Sequence, residues 1–472
     1  MSSPPLALGP RLSARAMVGL LGDWENEAPT YVALAERIRL LVIDGRVPTG
    51  TRLPSERNLA QQLGRSRATI VAAYQALRDS GHVESVRGSG SSAILPHLSG
   101  RAALPRTVDF ARAVPPPIDG LAEVLGRVGA RATSALDGPG FDLLGNVALR
   151  EAIADRYRDR GLPTSPDQIL VTMGGQHAIA LTARTLLRRA DRVLIESPTY
   201  PHAYEALRQA GARLSVTPVD TGGWDIDHLV EALGRLRPAM AYLIPDFHNP
   251  TGASMRPADR ERVVVAAQRA GTVLMIDETT ADLDIDRPWH DGPFARHAGG
   301  TTGGVVTVGS LSKSVWGGLR LGWIRADRAI VDRLAQARPA GDLGTPQLEQ
   351  LVGQQVVAAL PALLPRRTAQ LREHRDVLRK LLHHHLPEWE VPYPDGGLSL
   401  WIGLGQPVSS AFALVCQSRG IALSAGPRFT IDGSHERFVR LPFSAVPADL
   451  AVGVTALAEC WRLLGNRNQR VS

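Results

Sequence analysis

The chain has 472 residues, 44% hydrophobic and 21% charged, with 53 Lys+Arg against 46 Asp+Glu. That length is too great for one ordinary core and predicts two or three domains, while the composition is globular and no apolar run is long enough to span a bilayer. The net charge of +7 allows a polyanionic partner without requiring one.

Residues 1–27 are rich in Pro, Ala and Gly and read as a loosely held N-terminal arm, with Leu20 to Trp24 as an anchoring stretch. The arm lacks a basic stretch leading into an apolar core, so a cytoplasmic location is expected. Helical spacing begins at Tyr31, where Val32, Leu34, Ala35, Ile38, Leu41, Val42 and Ile43 form a stripe ending at Asp44-Gly45. Ser55 is placed to cap a short helix carrying Leu59, Ala60 and Leu63, and Gly64 stops it. Ser66 caps the next helix, Arg67 to Ser80, which aligns Ile70, Ala73, Tyr74 and Leu77. Val83 to Val86 reads as a strand, Arg87 to Gly90 as a turn and Ser91 to Ile94 as the return strand.

Three helices and a hairpin predict an α+β winged helix-turn-helix over residues 28–95. That segment holds nine arginines against five acidic residues. Arg57, Arg65, Arg67 and Arg87 fall at the starts of the two DNA-facing helices and at the wing tip, where phosphate and base contacts arise. Gly88-x-Gly90-x-x-Ala93 mimics a dinucleotide fingerprint, but no helix opens after it. The run Gly50-Thr51-Arg52-Leu53-Pro54-Ser55-Glu56-Arg57, then Leu63-Gly64-Arg65-Ser66-Arg67-Ala68-Thr69, then Arg87-Gly88-Ser89-Gly90 resembles the winged helix of the GntR family. The resemblance implies DNA contacts from Arg57, Ser66, Arg67, Arg87 and Gly88. Arg65 replaces the usual apolar residue and is either an additional phosphate contact or a packing defect.

Residues 96–118 carry five prolines and read as an extended linker. Residues 119–472 alternate apolar strands with amphipathic helices, which predicts an α/β domain with a large lobe at about 119–360 and a smaller α+β lobe at about 361–465. Candidate strands are Gln168 to Thr172, Arg192 to Ile195, Arg213 to Thr217, Met240 to Ile244, Val273 to Ile276 and Gly304 to Val308, with Leu398 to Ile402 and Arg437 to Leu441 in the small lobe.

Polar residues gather where these strands end. Gly174-Gly175-Gln176 opens a helix and makes an anion cradle. Tyr200 follows one strand and Asn249-Pro250-Thr251-Gly252 another. Asp277 ends a buried strand and so requires a partner. The chain has only two lysines, Lys313 and Lys380, and Lys313 lies between two serines just after the Gly304 to Val308 strand. Arginine cannot replace lysine where a deprotonated amine is needed, and such an amine forms a Schiff base with a carbonyl. Together these parts suit pyridoxal phosphate: the lysine for the aldehyde, the carboxylate for the pyridine nitrogen, and Ser310, Ser312, Arg320 and the Gly175-Gln176 backbone for the phosphate. No metal site is expected, since His383-His384-His385 follows a helix end without carboxylates around it. Cys416 and Cys460 read as buried thiols.

Asn249-Pro250-Thr251-Gly252, Asp277-Glu278 and Ser310-x-Ser312-Lys313-x(6)-Arg320-Leu321-Gly322 resemble the class I/II, fold-type I aminotransferases. The resemblance implies that Lys313 is catalytic, that Tyr200 stacks on the cofactor ring, that Asn249 bonds its hydroxyl and that Arg440 pairs with a substrate carboxylate. Two departures stand out: Thr279 and Thr280 occupy the place of a tyrosine that usually bonds the cofactor, and Phe141 replaces another tyrosine. With its two halves together, the chain resembles the MocR/GabR family of transcriptional regulators. That implies a head-to-tail homodimer on double-stranded DNA, with an amine, an amino acid or pyridoxal phosphate itself sensed through Lys313. A working aminotransferase tethered to a DNA-binding domain is the alternative.

Overall fold

The structure is a computed structural model and describes residues 11–22, 24–25, 29–43, 46–86, 90–94, 108–128, 133, 140–299 and 304–469. The chain divides into two compact units, one of residues 1–110, 403–439 and 455–472, the other of residues 111–402 and 440–454.

The first unit contains the winged helix. Its helices are α1 (Ala14–Leu21), α2 (Thr30–Ile43), α3 (Glu56–Leu63) and α4 (Arg67–Asp79), and its wing is β1 (Val83–Val86) paired antiparallel with β2 (Gly90–Ala93). Ser55 and Ser66 cap α3 and α4 by accepting from Asn58 N and Thr69 N, and Gly64 closes α3 in the left-handed region at φ 63°. The N-terminal arm departs from expectation. Met17 and Leu21 on α1, and then Trp24, are buried in the same core as Ile38, Leu59, Ile70 and Tyr74. The arm is therefore part of the domain from α1 onward.

The second unit is built on eight strands: β4 (Ile169–Thr172), β5 (Arg192–Ser197), β6 (Arg213–Asp220), β7 (Gly223–Trp224), β8 (Met240–Leu243), β9 (Val273–Asp277), β10 (Val305–Ser310) and β11 (Gly322–Arg325). Their order is β4-β11-β10-β9-β8-β5-β6-β7. The central pairs from β10 to β6 are parallel, and β11 runs antiparallel to both β10 and β4. Strands β4, β8 and β10 are buried at every residue, which is why they read as continuous apolar runs.

Three further strands and one from the proline-rich stretch make a four-stranded sheet, β12 (Ser399–Gly403), β14 (Phe438–Pro442), β13 (Ala422–Ala425) and β3 (Asp109–Phe110), in that order. The end of the expected linker is thus folded: β3 pairs in parallel with β13, and Ile118 N donates to Val315 O at 3.0 Å. A 39-residue helix, Gln347–His385, carries Pro361 and Pro365 inside it and ends in three exposed histidines. Among the described residues no helix is long and apolar enough to cross a membrane.

Candidate cofactor site

Strands β4, β5, β8, β9 and β10 all point the same way, because the antiparallel β11 lies between β4 and β10. Their C-terminal ends therefore form one edge, the edge where open α/β sheets bind ligands. Gly175, Tyr200, Asn249, Asp277, Ser310 and Lys313 all follow or end these strands.

The turn after β4 is a cradle. Gly174 has φ 85° and Gly175 opens the helix Gly175–Leu186. A Cβ at Gly175 would come within 2.9 Å of Thr279 Cγ2 and 3.7 Å of Ser310 Cβ, and one at Gly174 within 3.1 Å of Arg320 Nη2. The cradle therefore touches the ends of both β9 and β10 as well as the arginine. Arg320 itself sits at φ 49° and donates to Met173 O at 3.1 Å. Ser310 Oγ donates to Ser312 Oγ at 3.0 Å and accepts from Ser312 N at 3.1 Å. Two hydroxyls, a guanidinium and a helix N-terminus suit a phosphate group. The Gln176 side chain turns aside to donate to His202 O at 2.9 Å, which leaves its backbone N–H for the cradle role.

Asp277 is 3% exposed and accepts from Tyr242 Oη at 2.6 Å and from Thr279 N at 2.9 Å. Burial raises its pKa against those hydrogen bonds. The next residue, Glu278, takes a separate set of partners. It accepts from Phe294 N at 2.7 Å, and burial pushes its carboxyl up to about 7 despite Arg160. Tyr200 caps the helix Pro201–Gln209 and meets the His202 ring edge-on, with centroids 5.4 Å apart.

Lys313 Nζ donates to Ala113 O at 2.8 Å. Burial, then the Arg440 guanidinium, lowers its pKa to about 8, while Asp277 pulls it back up. Arg440, 7% exposed on β14, donates to Asn249 Oδ1 at 3.2 Å and to Ala111 O. Arg367 donates to Pro116 O at 2.7 Å and also holds Ser314 O and Val315 O. The segment 111–116 is thus a strap whose carbonyls are tied to the lysine, the arginine and the chain just after the lysine.

Sequence reasoning missed three members of this region. Tyr242 orients the Asp277 carboxylate, and its place inside the buried β8 was the available signal, since a buried phenol needs a partner. Glu196, fully buried near the end of β5, accepts from Trp224 Nε1 at 2.9 Å and from Ile244 N, and lies 3.2 Å from His248 Nε2. Together Glu196 and His248 support the loop that carries Asn249. The two threonines have other partners than a cofactor. Thr280 Oγ1 donates to Asp246 O at 2.7 Å, and the Thr279 side chain bonds Asp277.

In the winged helix, Arg57 and Arg67 are exposed at the starts of α3 and α4. Ser66 is exposed as well, but its hydroxyl is engaged as a cap and lies 2.8 Å from Thr69 Oγ1. Arg65 points outward and pairs with Glu25, so it does not disturb the core. Arg87 and Gly88 lie outside the described residues.

The two units correspond to two known families. Residues 134–457 match aminotransferase class I and II, and residues 30–92 match the bacterial regulatory proteins of the gntR family. An uncharacterized HTH-type transcriptional regulator, YisV of Bacillus subtilis, is 25% identical across 94% of this chain and 99% of its own length. The MocR protein of Rhizobium meliloti, a probable rhizopine catabolism regulator, is 28% identical across 81% of this chain and 83% of its own. The α-aminoadipate aminotransferase LysN of Thermus thermophilus, solved with N-(5'-phosphopyridoxyl)-L-leucine, superposes with TM-score 0.69 at 28% identity, covering 76% of this chain and 92% of LysN. Fold and site thus define a GntR-type DNA-binding domain joined to an aminotransferase-like domain. The chain belongs to the class I and II aminotransferase family, and its two-domain composition is that of the MocR/GabR-type transcriptional regulators.

Proposed function

We propose that this chain is a transcriptional regulator that carries pyridoxal phosphate on Lys313 and changes its hold on a double-stranded DNA operator when an amine or amino acid reaches that site. The observation that carries the reading is Lys313: a buried amine held at about 8, beside Asp277 and Arg440, in a chain that opens with a winged helix. The donor set fits the cofactor. The Gly174–Gly175 cradle with Ser310, Ser312 and Arg320 holds the phosphate, Asp277 the pyridine nitrogen, and Asn249 and Tyr200 the ring. When bound, pyridoxal phosphate supplies an aldehyde for amines and an electron-withdrawing ring. Arg440 holds a ligand carboxylate through its planar fork. The cofactor must displace the Ala113 carbonyl from Lys313, and a ligand carboxylate the Ala111 carbonyl from Arg440, so the strap responds to occupancy. A regulator needs that ligand to bind two conformations with different affinity.

Thr279 and Thr280 favour sensing over turnover, because their side chains serve Asp277 and Asp246 and no phenol reaches the cofactor from there. The complete Lys313–Asp277–Arg440 set keeps an aminotransferase as the second reading. Operator affinity and the cofactor spectrum, recorded against a panel of amino acids and amines, separate the two. A regulator gives one compound class that shifts both over the same concentration range. Conversion of the cofactor to its amine form, with recovery by a keto acid and no change in DNA affinity, favours the enzyme.

We further infer a head-to-tail homodimer. Phe141 and Leu343, 70% and 56% exposed, flank the Asp142–Gly344 bridge and offer an apolar patch to a second copy. For DNA, Arg67→Ala is expected to weaken operator binding and to make the dependence of log K on log salt shallower by about one, the loss of one phosphate contact. An unchanged slope removes Arg67 from the phosphate contacts.

A further inference from the structure

The chain has two cysteines in 472 residues, and the fold sets them against each other. Cys416 lies in the helix Ser409–Ser418 and Cys460 in the helix Pro447–Gln469. Both are free thiols, 0% exposed. The seam between the helices is fixed on each side of the pair. Phe412, one turn before Cys416, meets the Trp461 ring edge-on with centroids 5.3 Å apart. Arg419, three residues after Cys416, reaches Glu459 at 3.8 Å. Positions 412, 416 and 419 share one helix face. The thiols therefore lie between an aromatic contact and an ion pair, where the Cys416 thiol hydrogen-bonds to the Cys460 sulfur.

We propose that Cys416 and Cys460 are a redox-sensitive pair that closes to a reversible disulfide on exposure to a peroxide. This goes beyond the cofactor reading and does not depend on it. Cys460 is the attacking thiol. The hydrogen bond from Cys416, and then Arg419, lower its pKa against burial, while the pKa of Cys416 is raised. The Cys460 thiolate attacks one peroxide oxygen, the O–O bond breaks, a sulfenic acid forms on Cys460, and the departing hydroxide takes the thiol proton to become water. Cys416 then attacks the sulfenyl sulfur. The S–S bond forms, the S–O bond breaks, and the leaving hydroxide takes the Cys416 proton as a second water. Two thiols lose two electrons and one peroxide gains them. Burial makes this slower than oxidation of an exposed thiol. Beside the pair, the Arg419 and Glu459 side chains are 49% and 50% exposed, so solvent reaches the residue next to Cys460.

The position of the pair gives oxidation a consequence. The helix that carries Cys416 begins with Ser409 and Ser410, which hold Glu436 through both hydroxyls and the Ser410 N–H at 2.8 to 3.1 Å. Glu436 in turn pairs with Arg37 of α2 at 2.6 Å. A covalent tie at Cys416 therefore acts on the helix that anchors an ion pair with the DNA-binding domain.

The test treats the full-length, cofactor-loaded protein with hydrogen peroxide, then denatures it and alkylates it with iodoacetamide. Reduced protein takes two alkyl groups. Oxidised protein is expected to take none, to be lighter by two hydrogen atoms, and to yield a peptide joining Cys416 to Cys460, with dithiothreitol restoring both thiols. Two alkylated cysteines after peroxide, a disulfide between two chains, or one cysteine driven to sulfonic acid beside a free one would each overturn the proposal. Cys416→Ala is expected to leave a sulfenic acid on Cys460 that a cyclic dione captures. Equal capture on Cys416 in Cys460→Ala would overturn the assignment of the attacking thiol. The wild-type count decides alone if either variant fails to fold.

Discussion

Lys313→Ala is expected to abolish the near-visible absorbance that protein incubated with pyridoxal phosphate acquires, and to leave ligand-free operator binding largely unchanged. Lys313→Arg should lose the absorbance equally, because a guanidinium cannot give up its proton at any working pH. The chain supplies its own control: Lys380 is its other lysine, so Lys380→Arg should change nothing. The pH dependence follows from the cause of the shift. Burial and Arg440 bring the Lys313 pKa from 10.5 to about 8, so the rate of cofactor incorporation should rise as the pH passes through about 8. For a group whose pKa is depressed on folding, the stability contribution is full above its unfolded value and is lost as the pH falls through its folded value. At neutral pH the apo protein therefore carries an unfavourable ammonium, and apo Lys313→Met should be the more stable form. Retained absorbance in folded Lys313→Ala would remove the lysine from the cofactor. Collapse of DNA binding in that variant would overturn the separation of roles between the domains.

The parts of this architecture that were legible in the sequence are those that announce themselves locally. Serine caps and glycine stops mark α3 and α4 within a few residues each. Asp277 was legible because a carboxylate closing an apolar run must be satisfied by something. Glu196, near the end of β5, carries the same signal, but its partners Trp224, Ile244 and His248 come from later segments that only the fold assembles. Strand β11 was missed because Gly322-Trp323-Ile324-Arg325 is short and ends in an arginine. That arginine is fully buried, its fork bonded to Thr164 Oγ1 and Pro163 O. The fully buried Arg260, Arg338, Arg367 and Arg375 are similarly engaged by carbonyls or carboxylates. This use of arginine inside the fold fits a chain that is rich in it and nearly free of lysine. The strap at 111–116 was illegible for a different reason. Its bonds to Lys313, Arg440 and Arg367 are made by backbone carbonyls, which every residue has and no residue type reveals. The arm hid α1 behind a Pro- and Ala-rich composition, although Met17 and Leu21 are spaced as one helical face.

Asp277→Asn should pull apo stability and cofactor affinity in opposite directions. Burial raises the Asp277 pKa, so the fold prefers its neutral form. That contribution to stability is full below the ordinary carboxylate pKa of about 3.9 and is lost as the pH rises through the raised value. At neutral pH wild-type apo protein carries the unfavourable charge and the amide does not. The amide can still accept from Thr279 N–H and donate to the Tyr242 hydroxyl, so the pocket need not reorganise. Apo Asp277→Asn should thus melt no lower than wild type at neutral pH, with the difference changing in favour of wild type as the pH falls. Bound cofactor reverses the order. Its protonated ring nitrogen would sit in a buried site without its carboxylate, and breaking such a pair costs about 3–5 kcal/mol. That is a loss of roughly two to four orders of magnitude in affinity. Ligand stabilisation grows with the logarithm of concentration over the dissociation constant. At one fixed concentration of pyridoxal phosphate, wild type should therefore gain several degrees in melting temperature and the variant almost none. Tyr242→Phe should fall between them, since it removes one of the three hydrogen bonds that favour the carboxylate and lowers affinity by about tenfold. If Asp277→Asn instead lost apo stability and kept its cofactor affinity, Asp277 would be a structural carboxylate held for Tyr242 and Thr279. The strand-end constellation would then lose the member that gives the ring its charge.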